Sequence, residues 1–224
     1  MTDLTLVIGN QNYSTWSLRP WLFLAHHGIP FNMKKVKLFT DSMESDLAVH
    51  FSDTKVPVLQ EGDLEVWDSL AILEYLAERY PEKKGWPEAR NARAVARSVS
   101  AEMHSSFFGL RNELPMNCRR RFPGFKPGPE AQRDIKRVVT LWQFCRKTYG
   151  STGPWLFGDF SAADCMYAPV VMRLLSYEIA LDPVSKAYTE TVFNSPAMQQ
   201  WIRDGSTEPE VIAEDEADWP SEPF

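Results

Sequence analysis

Cysteine is scarce in this 224-residue sequence, and the few present, Cys118, Cys145 and Cys165, all lie in its second half. An odd, sparse set without C-x-x-C spacing argues against a disulfide framework and a zinc site. Histidine is equally thin, with only His26-His27, His50 and His104, so no metal constellation is expected. Long apolar runs are missing too. The stretch Leu4 to Ile8 is too short for a signal-peptide core and has no basic region before it, and nothing approaches the length of a membrane span. A cytoplasmic protein is expected, with no membrane partner.

The negative net charge is not spread evenly. Asp204, Glu208, Glu210, Glu214, Asp215, Glu216, Asp218 and Glu222 all follow the last basic residue, Arg203. Removing these eight acids from the total of −6 leaves residues 1–203 at about +2. An acidic tail on a near-neutral body carries no nucleic-acid footprint. Arg119-Arg120-Arg121 is too short a basic run to change that, and is expected in a solvated loop or paired with the tail.

Apolar periodicity divides the chain in two. Leu4-Thr-Leu-Val-Ile8 reads as a buried strand, residues 15–27 as a helix stopped at Gly28, and residues 33–38 as a partly exposed strand. The helix would hold Pro20 in its first turn. Residues 42–50 suit a weak helix or an irregular segment. A hairpin follows, Val56-Pro57-Val58-Leu59 and Leu64-Glu65-Val66-Trp67 around Glu61-Gly62-Asp63. Asp68-Ser69 then opens a helix that ends before Pro81. The order β-α-β-(α)-β-β-α fills residues 1–80. Residues 87–224 show no convincing strand, and helices are expected near 87–113, 130–149, 161–179, 184–193 and 195–204. From about residue 205 the acidic tail is expected to run extended along the surface.

Four segments, in order, carry a family likeness: Asn12-Tyr13-Ser14-Thr15-Trp16-Ser17-Leu18-Arg19-Pro20-Trp21, Lys55-Val56-Pro57-Val58-Leu59, Asp68-Ser69 and Phe160-Ser161-Ala162-Ala163-Asp164. Together they resemble the cytosolic glutathione transferase superfamily, and within it zeta-like bacterial members. The resemblance implies an α/β thioredoxin-like N-terminal domain plus an all-α C-terminal domain. It also implies glutathione as cosubstrate, a small electrophilic substrate, a homodimer and no metal. Lys55, Val56, Asp68 and Ser69 fall on the family's glutathione-binding positions, with Val56–Pro57 as its cis bond. Backbone groups of Val56 would then pair with the cysteinyl amide. The free N–H groups and positive end of the helix at Asp68-Ser69 would receive the γ-glutamyl carboxylate.

The family activates the glutathione thiol with a hydroxyl or thiol beside the first helix. Moving a thiol from about 8.5 to about 7 takes roughly 2 kcal/mol, within reach of one hydrogen bond and a helix dipole. Counting back from Gly28 places Ser14 in that role. Tyr13, Asn12 and Ser17 stay open as alternatives, since aligning through Arg19 puts Asn12 there. The missing N-terminal cysteine counts against the thiol-disulfide branches of the fold. His104, Phe108 and Arg111, at helical spacing, are candidates for the substrate pocket. Ser161-x-x-Asp164 is a capping box with a folding role. The function implied is glutathione-dependent transfer to an electrophile. Cis–trans isomerisation of a small unsaturated diacid, with Arg111 or Arg19 on a carboxylate, and a non-catalytic glutathione-binding module are the alternatives.

Overall fold

Leu4, Leu6 and Ile8 alternate with Val7 along the first strand, and this period of two assigns the layers. The computed structural model describes residues 4–224. In β1 (Leu4–Ile8) the side chains of Leu4, Leu6 and Ile8 enter the main core, while Val7 joins Val36, Leu47 and Val58 in a smaller cluster on the opposite face. After α1 (Thr15–His26), β2 (Asn32–Lys35) runs parallel to β1, with Thr5 opposite Asn32. The short α2 (Met43–Leu47) covers the smaller cluster. The hairpin β3 (Val58–Glu61) and β4 (Leu64–Trp67) turns at Gly62, whose φ of 61° is one that glycine adopts freely. The sheet order is β2-β1-β3-β4, with β3 antiparallel to both neighbours, and α3 (Ser69–Arg79) packs beside α1. This is the thioredoxin-like half that the sequence predicts. All four β2 residues are exposed, and Lys34 and Lys35 guard that open edge.

A 3-10 turn at Pro81–Lys83 leads into the helical half. It contains α4 (Arg90–Ser105), α5 (Phe108–Glu113), α6 (Pro129–Tyr149), α7 (Ala162–Ser176), α8 (Pro183–Phe193) and α9 (Pro196–Ser206). Proline opens α6, α8 and α9, where its missing N–H is not needed. Helix α7 is buried along nearly its whole length and packs on both α1 and α4. One hydrophobic core therefore runs through both halves, with Trp21 of α1 against Trp201 of α9 at 5.1 Å between ring centroids. At the start of α7 the capping box is present: the Ser161 N–H donates to Asp164 Oδ2 at 2.8 Å.

Three expectations need correction. Pro20 lies in the interior of α1, not in its first turn, so the Trp16 carbonyl loses its usual helical donor. The single helix expected over 87–113 is two, because Phe107 turns into the left-handed region at φ 65° and buries its ring. The tail after Gly205 is not simply solvated. Glu208 and Ile212 are buried, and β5 (Arg120–Arg121) pairs with β6 (Glu222–Pro223), so the second half contains a small two-stranded ladder. Opposite charge draws the tail in, with Lys35 on Glu208 and Lys37 on Glu210 at 2.8 Å and Arg121 on Glu222 at 2.9 Å, while Arg119 donates to the Glu208 and Glu210 backbone carbonyls at 2.7 and 3.0 Å.

Candidate functional site

A cavity of about 700 Å3 opens between residues 38–43, the 51–57 loop and the start of α3. Seven non-glycine residues among those described adopt positive φ, and four of them, Phe39, Asp53, Thr54 and Asp68, line this cavity. Such conformations cost about 1–3 kcal/mol each and persist where the surroundings hold them, typically at ligand sites. Their clustering here makes this cavity the candidate site.

The loop before β3 closes on itself. Ser52 Oγ donates to the Lys55 carbonyl at 2.7 Å, and the Lys55 N–H returns to the Ser52 carbonyl at 3.2 Å. The next peptide, Val56–Pro57, is cis, as the sequence predicts. Val56 lines the cavity, and its backbone N–H and C=O make no hydrogen bond among the described residues. They offer an unfilled donor and acceptor to an extended ligand. Lys55 also lines the cavity, exposed, with its Nζ 2.8 Å from Asp53.

Across from Val56, α3 begins. Asp68 caps it, with Oδ1 accepting the N–H groups of Leu70 and Ala71 at 2.8 and 3.4 Å. Its other oxygen lies 2.6 Å from His104 Nε2. Ser69 is buried, and its Oγ accepts from Arg19 Nη1 at 3.2 Å. Arg19 is fully buried, with Nε and Nη2 unpartnered, and its guanidinium lies 4.2 Å from the Trp16 ring centroid. Burial drives its pKa well below the ordinary value, helped by the nearby Arg111 and Arg173 charges and opposed by Asp68. A cation this poorly compensated, behind Ser69, favours an anion at the helix N-terminus.

None of the four candidates for thiol activation lines the cavity; Trp16 does. Ser14 caps α1, accepting the Ser17 N–H at 3.4 Å, and donates its hydroxyl to Ser17 Oγ at 2.8 Å. Ser17 Oγ in turn accepts the Gly9 N–H at 3.0 Å. Asn12 Oδ1 accepts the Cys118 N–H at 2.8 Å. The Tyr13 hydroxyl donates to Glu216 and accepts from Arg119 at 2.6 Å; burial, then Glu216, pushes its pKa up. Asn12 and Tyr13 are thus held by the second half and the tail. Ser14 sits at the cap of the helix whose second residue enters the cavity, and the Thr15 and Trp16 N–H groups there find no partner among the described residues.

His104, Phe108 and Arg111 do not form the lining either. His104 touches it through Asp68, and its ring packs edge-on against Trp16 at 5.4 Å. Burial lowers its pKa, with Arg19 and Arg111 opposing the pull of Asp68. Arg111 closes the end of α4, donating to the carbonyls of Ser106 at 2.9 Å and of Met103, with its guanidinium 5.0 Å from the Trp16 ring. Phe108 is exposed. The sequence reasoning missed the aromatic rim, Phe51 and Trp67, whose exposed rings lie 5.2 Å apart. Their places at a strand end and in a loop beside the predicted cis bond were the available signal. The three cysteines are buried, and burial pushes the Cys118 and Cys145 thiols up to about 12.

Known proteins resemble this chain in sequence and fold. The family described as "Glutathione S-transferase, N-terminal domain" matches residues 13–79. The maleylacetoacetate isomerase of Pseudomonas aeruginosa is 27% identical over 200 residues, covering 84% of this chain and 91% of that one. A stringent starvation protein A homolog from Haemophilus ducreyi is 22% identical over 198 residues, 87% of each chain. Among solved structures, a glutathione transferase homolog from Burkholderia with bound glutathione superimposes with a TM-score of 0.69 at 25% identity, covering 91% of this chain and 98% of that one.

Proposed function

We propose that the chain is a member of the glutathione transferase superfamily, and that the cavity beside Val56–Pro57 binds glutathione and presents its thiolate to a small electrophile. One observation carries the reading. The unpaired backbone groups of Val56, the N-terminus of α3 at Asp68-Ser69 and the N-terminus of α1 at Trp16 all border one hollow. The cysteinyl amide pairs with Val56 as an added strand. The γ-glutamyl carboxylate lies at Ser69, where the helix end and the buried Arg19 supply positive potential, and Asp68 takes the ammonium group. Lys55 stands at the rim for the remaining carboxylate.

The thiol then faces the start of α1. Its proton leaves to solvent, and the thiolate sulfur attacks an electrophilic carbon, forming the carbon–sulfur bond as that carbon's π bond opens or its leaving group departs with the electron pair. Ser14 supplies the stabilising hydroxyl by turning its O–H from Ser17 toward the sulfur, beside the unfilled N–H groups of Thr15 and Trp16. The guanidinium groups stacked near Trp16 favour an isomerisation reading in particular, since Arg19 and Arg111 place two positive charges beside the hollow. The likeness to a maleylacetoacetate isomerase supports the same choice. The same proposal has the protein in the cytoplasm as a homodimer. The exposed Phe51–Trp67 pair supports the dimer, an apolar patch suited to burial against a second copy.

Thiolate absorbance of bound glutathione against pH tests the chemistry. Ser14→Ala should raise the bound thiol's pKa by about 1–1.5 units, the worth of one good hydrogen bond, with affinity little changed. Tyr13→Phe should leave it in place. A shift confined to Tyr13→Phe would transfer the role to Tyr13. A wild-type protein that binds glutathione without any depressed thiol pKa would be the non-catalytic module instead.

A further inference from the structure

The loop between β1 and α1 is gripped from behind by the C-terminal tail. Glu208, 197 residues after Gln11, is buried, and its carboxylate spans two consecutive backbone amides. Oε1 accepts the Gln11 N–H at 2.9 Å and Oε2 the Asn12 N–H at 3.1 Å. Lys35 Nζ, from the end of β2, balances the charge at 2.8 Å from Oε1. Arg119 holds the same residue by its carbonyl. The end of α9 approaches as closely as backbone allows: a Cβ on Gly205 would lie 3.1 Å from the Asn12 nitrogen. Farther along the tail, Glu216 receives the Tyr13 hydroxyl. Two tail carboxylates therefore hold three successive residues, Gln11, Asn12 and Tyr13, and the next residue is Ser14.

A solvated acidic tail would need none of this. Burying a carboxylate is costly unless every lone pair is used, and Glu208 uses its oxygens on the loop and on Lys35. The consequence lies on the far side of the loop. Ser14 caps α1, its N–H bonded to the Asn10 carbonyl at 2.8 Å, and Trp16 lines the cavity. With the rear fixed, the start of α1 has one orientation toward the hollow.

We infer that Glu208 is a positioning residue of the glutathione site, setting the β1–α1 loop so that Ser14 and the first amides of α1 face the thiol. This rests on the reading of the cavity given above. It also makes the acidic tail a working part of the site.

The test compares wild type, Glu208→Gln and Glu208→Ala. Gln keeps one acceptor oxygen for the two amides and Ala keeps none, so the effects should be graded. Without ligand, hydrogen exchange at the Tyr13 and Ser14 amides should quicken at least about tenfold in Glu208→Ala. Their acceptor, the Asn10 carbonyl, is untouched by the substitution, and the β1 amides serve as the reference. Unchanged exchange at Tyr13 and Ser14 overturns the inference, whatever glutathione does. With glutathione, turnover in Glu208→Ala should fall about tenfold or more with KM little moved, the mark of misplacement at the reacting atom. The bound thiol's pKa should rise. Removing a negative charge by itself would lower that pKa, so a fall overturns positioning in favour of a through-space charge effect. A variant that is less stable but keeps the wild-type thiol pKa and turnover would show a structural strap only, and would equally overturn it. Failure of wild type to bind glutathione refutes the reading of the cavity, and the exchange arm still decides the role of Glu208 in holding the loop.

Discussion

Three helices in this protein begin on an acid-containing cap, α3 at Asp68, α7 at Ser161–Asp164 and α8 at Asp182, and the first two stand at opposite extremes of solvent access. Asp164 is wholly buried; its Oδ1 accepts the Leu156 N–H at 3.1 Å and its Oδ2 the Ser161 N–H at 2.8 Å. Every neighbour is protein, and the cap stitches the 150s loop to the central helix. Asp68 is exposed, stands at φ 71° and borders the cavity with one oxygen on His104. The same local chemistry thus closes a buried cap at one helix start and stands open to the cavity at the other. Burial and backbone strain tell them apart, not residue type.

The largest expected effect sharpens the structural side. Asp164→Ala removes the cap and leaves the Leu156 and Ser161 amides buried without partners, a loss of about 2–4 kcal/mol. Urea unfolding would report it, while the folded fraction should bind glutathione as wild type does. A variant of native stability would contradict the assignment.

Next comes the functional side. Ser69→Ala and Asp68→Ala should each weaken glutathione more than about tenfold, the worth of one charge-assisted hydrogen bond, about 1.5–3 kcal/mol. Asp68→Ala should also cost some stability through the lost cap. Replacing Arg120, far from this cavity in the tail ladder, should change affinity little. Equal calorimetric affinities in both sets would move the anion site elsewhere.

The smallest effect is in pH. Burial pushes the Asp164 carboxyl up from 3.8 to about 6. A group raised on folding contributes stability that is present below its unfolded value and lost as pH rises through the folded one. Wild type should therefore lose stability from this group between about pH 4 and pH 6, at no more than about 1.4 kcal/mol per pH unit. Asp164→Asn cannot ionise and should lack that slope in the same window. Parallel curves for the two proteins would mean that Asp164 enters the fold already ionised.

Much of this contrast was legible in the sequence. Periodicity placed the four-stranded sheet and its helices. Val-Pro-Val in a strand called for an explanation that the cis bond supplies, and S-x-x-D marked the buried cap. Other features were hidden for physical reasons. Phe107 carries no residue signal for a left-handed turn, so the break between α4 and α5 arises from burying its ring rather than from local preference. The tail reads as solvated because acidic composition is counted locally, whereas its partners Lys35, Lys37 and Arg119 lie far away in the chain. Which way the Ser14 hydroxyl points depends on Ser17, one turn on, and a linear motif does not resolve that competition. The pocket candidates His104 and Arg111 lie behind the lining, and their first partners are Asp68 and the end of α4.

The central claim is that glutathione occupies the cavity at Val56–Pro57, and a crystal structure of the protein soaked with glutathione tests it most directly. The account predicts the cysteinyl amide on the backbone of Val56, the γ-glutamyl carboxylate at Ser69 and the sulfur nearest the start of α1 at Ser14–Trp16. Glutathione lodged instead in the hollow of about 740 Å3 beneath the tail, among Arg119, Arg120 and Phe224, would contradict it.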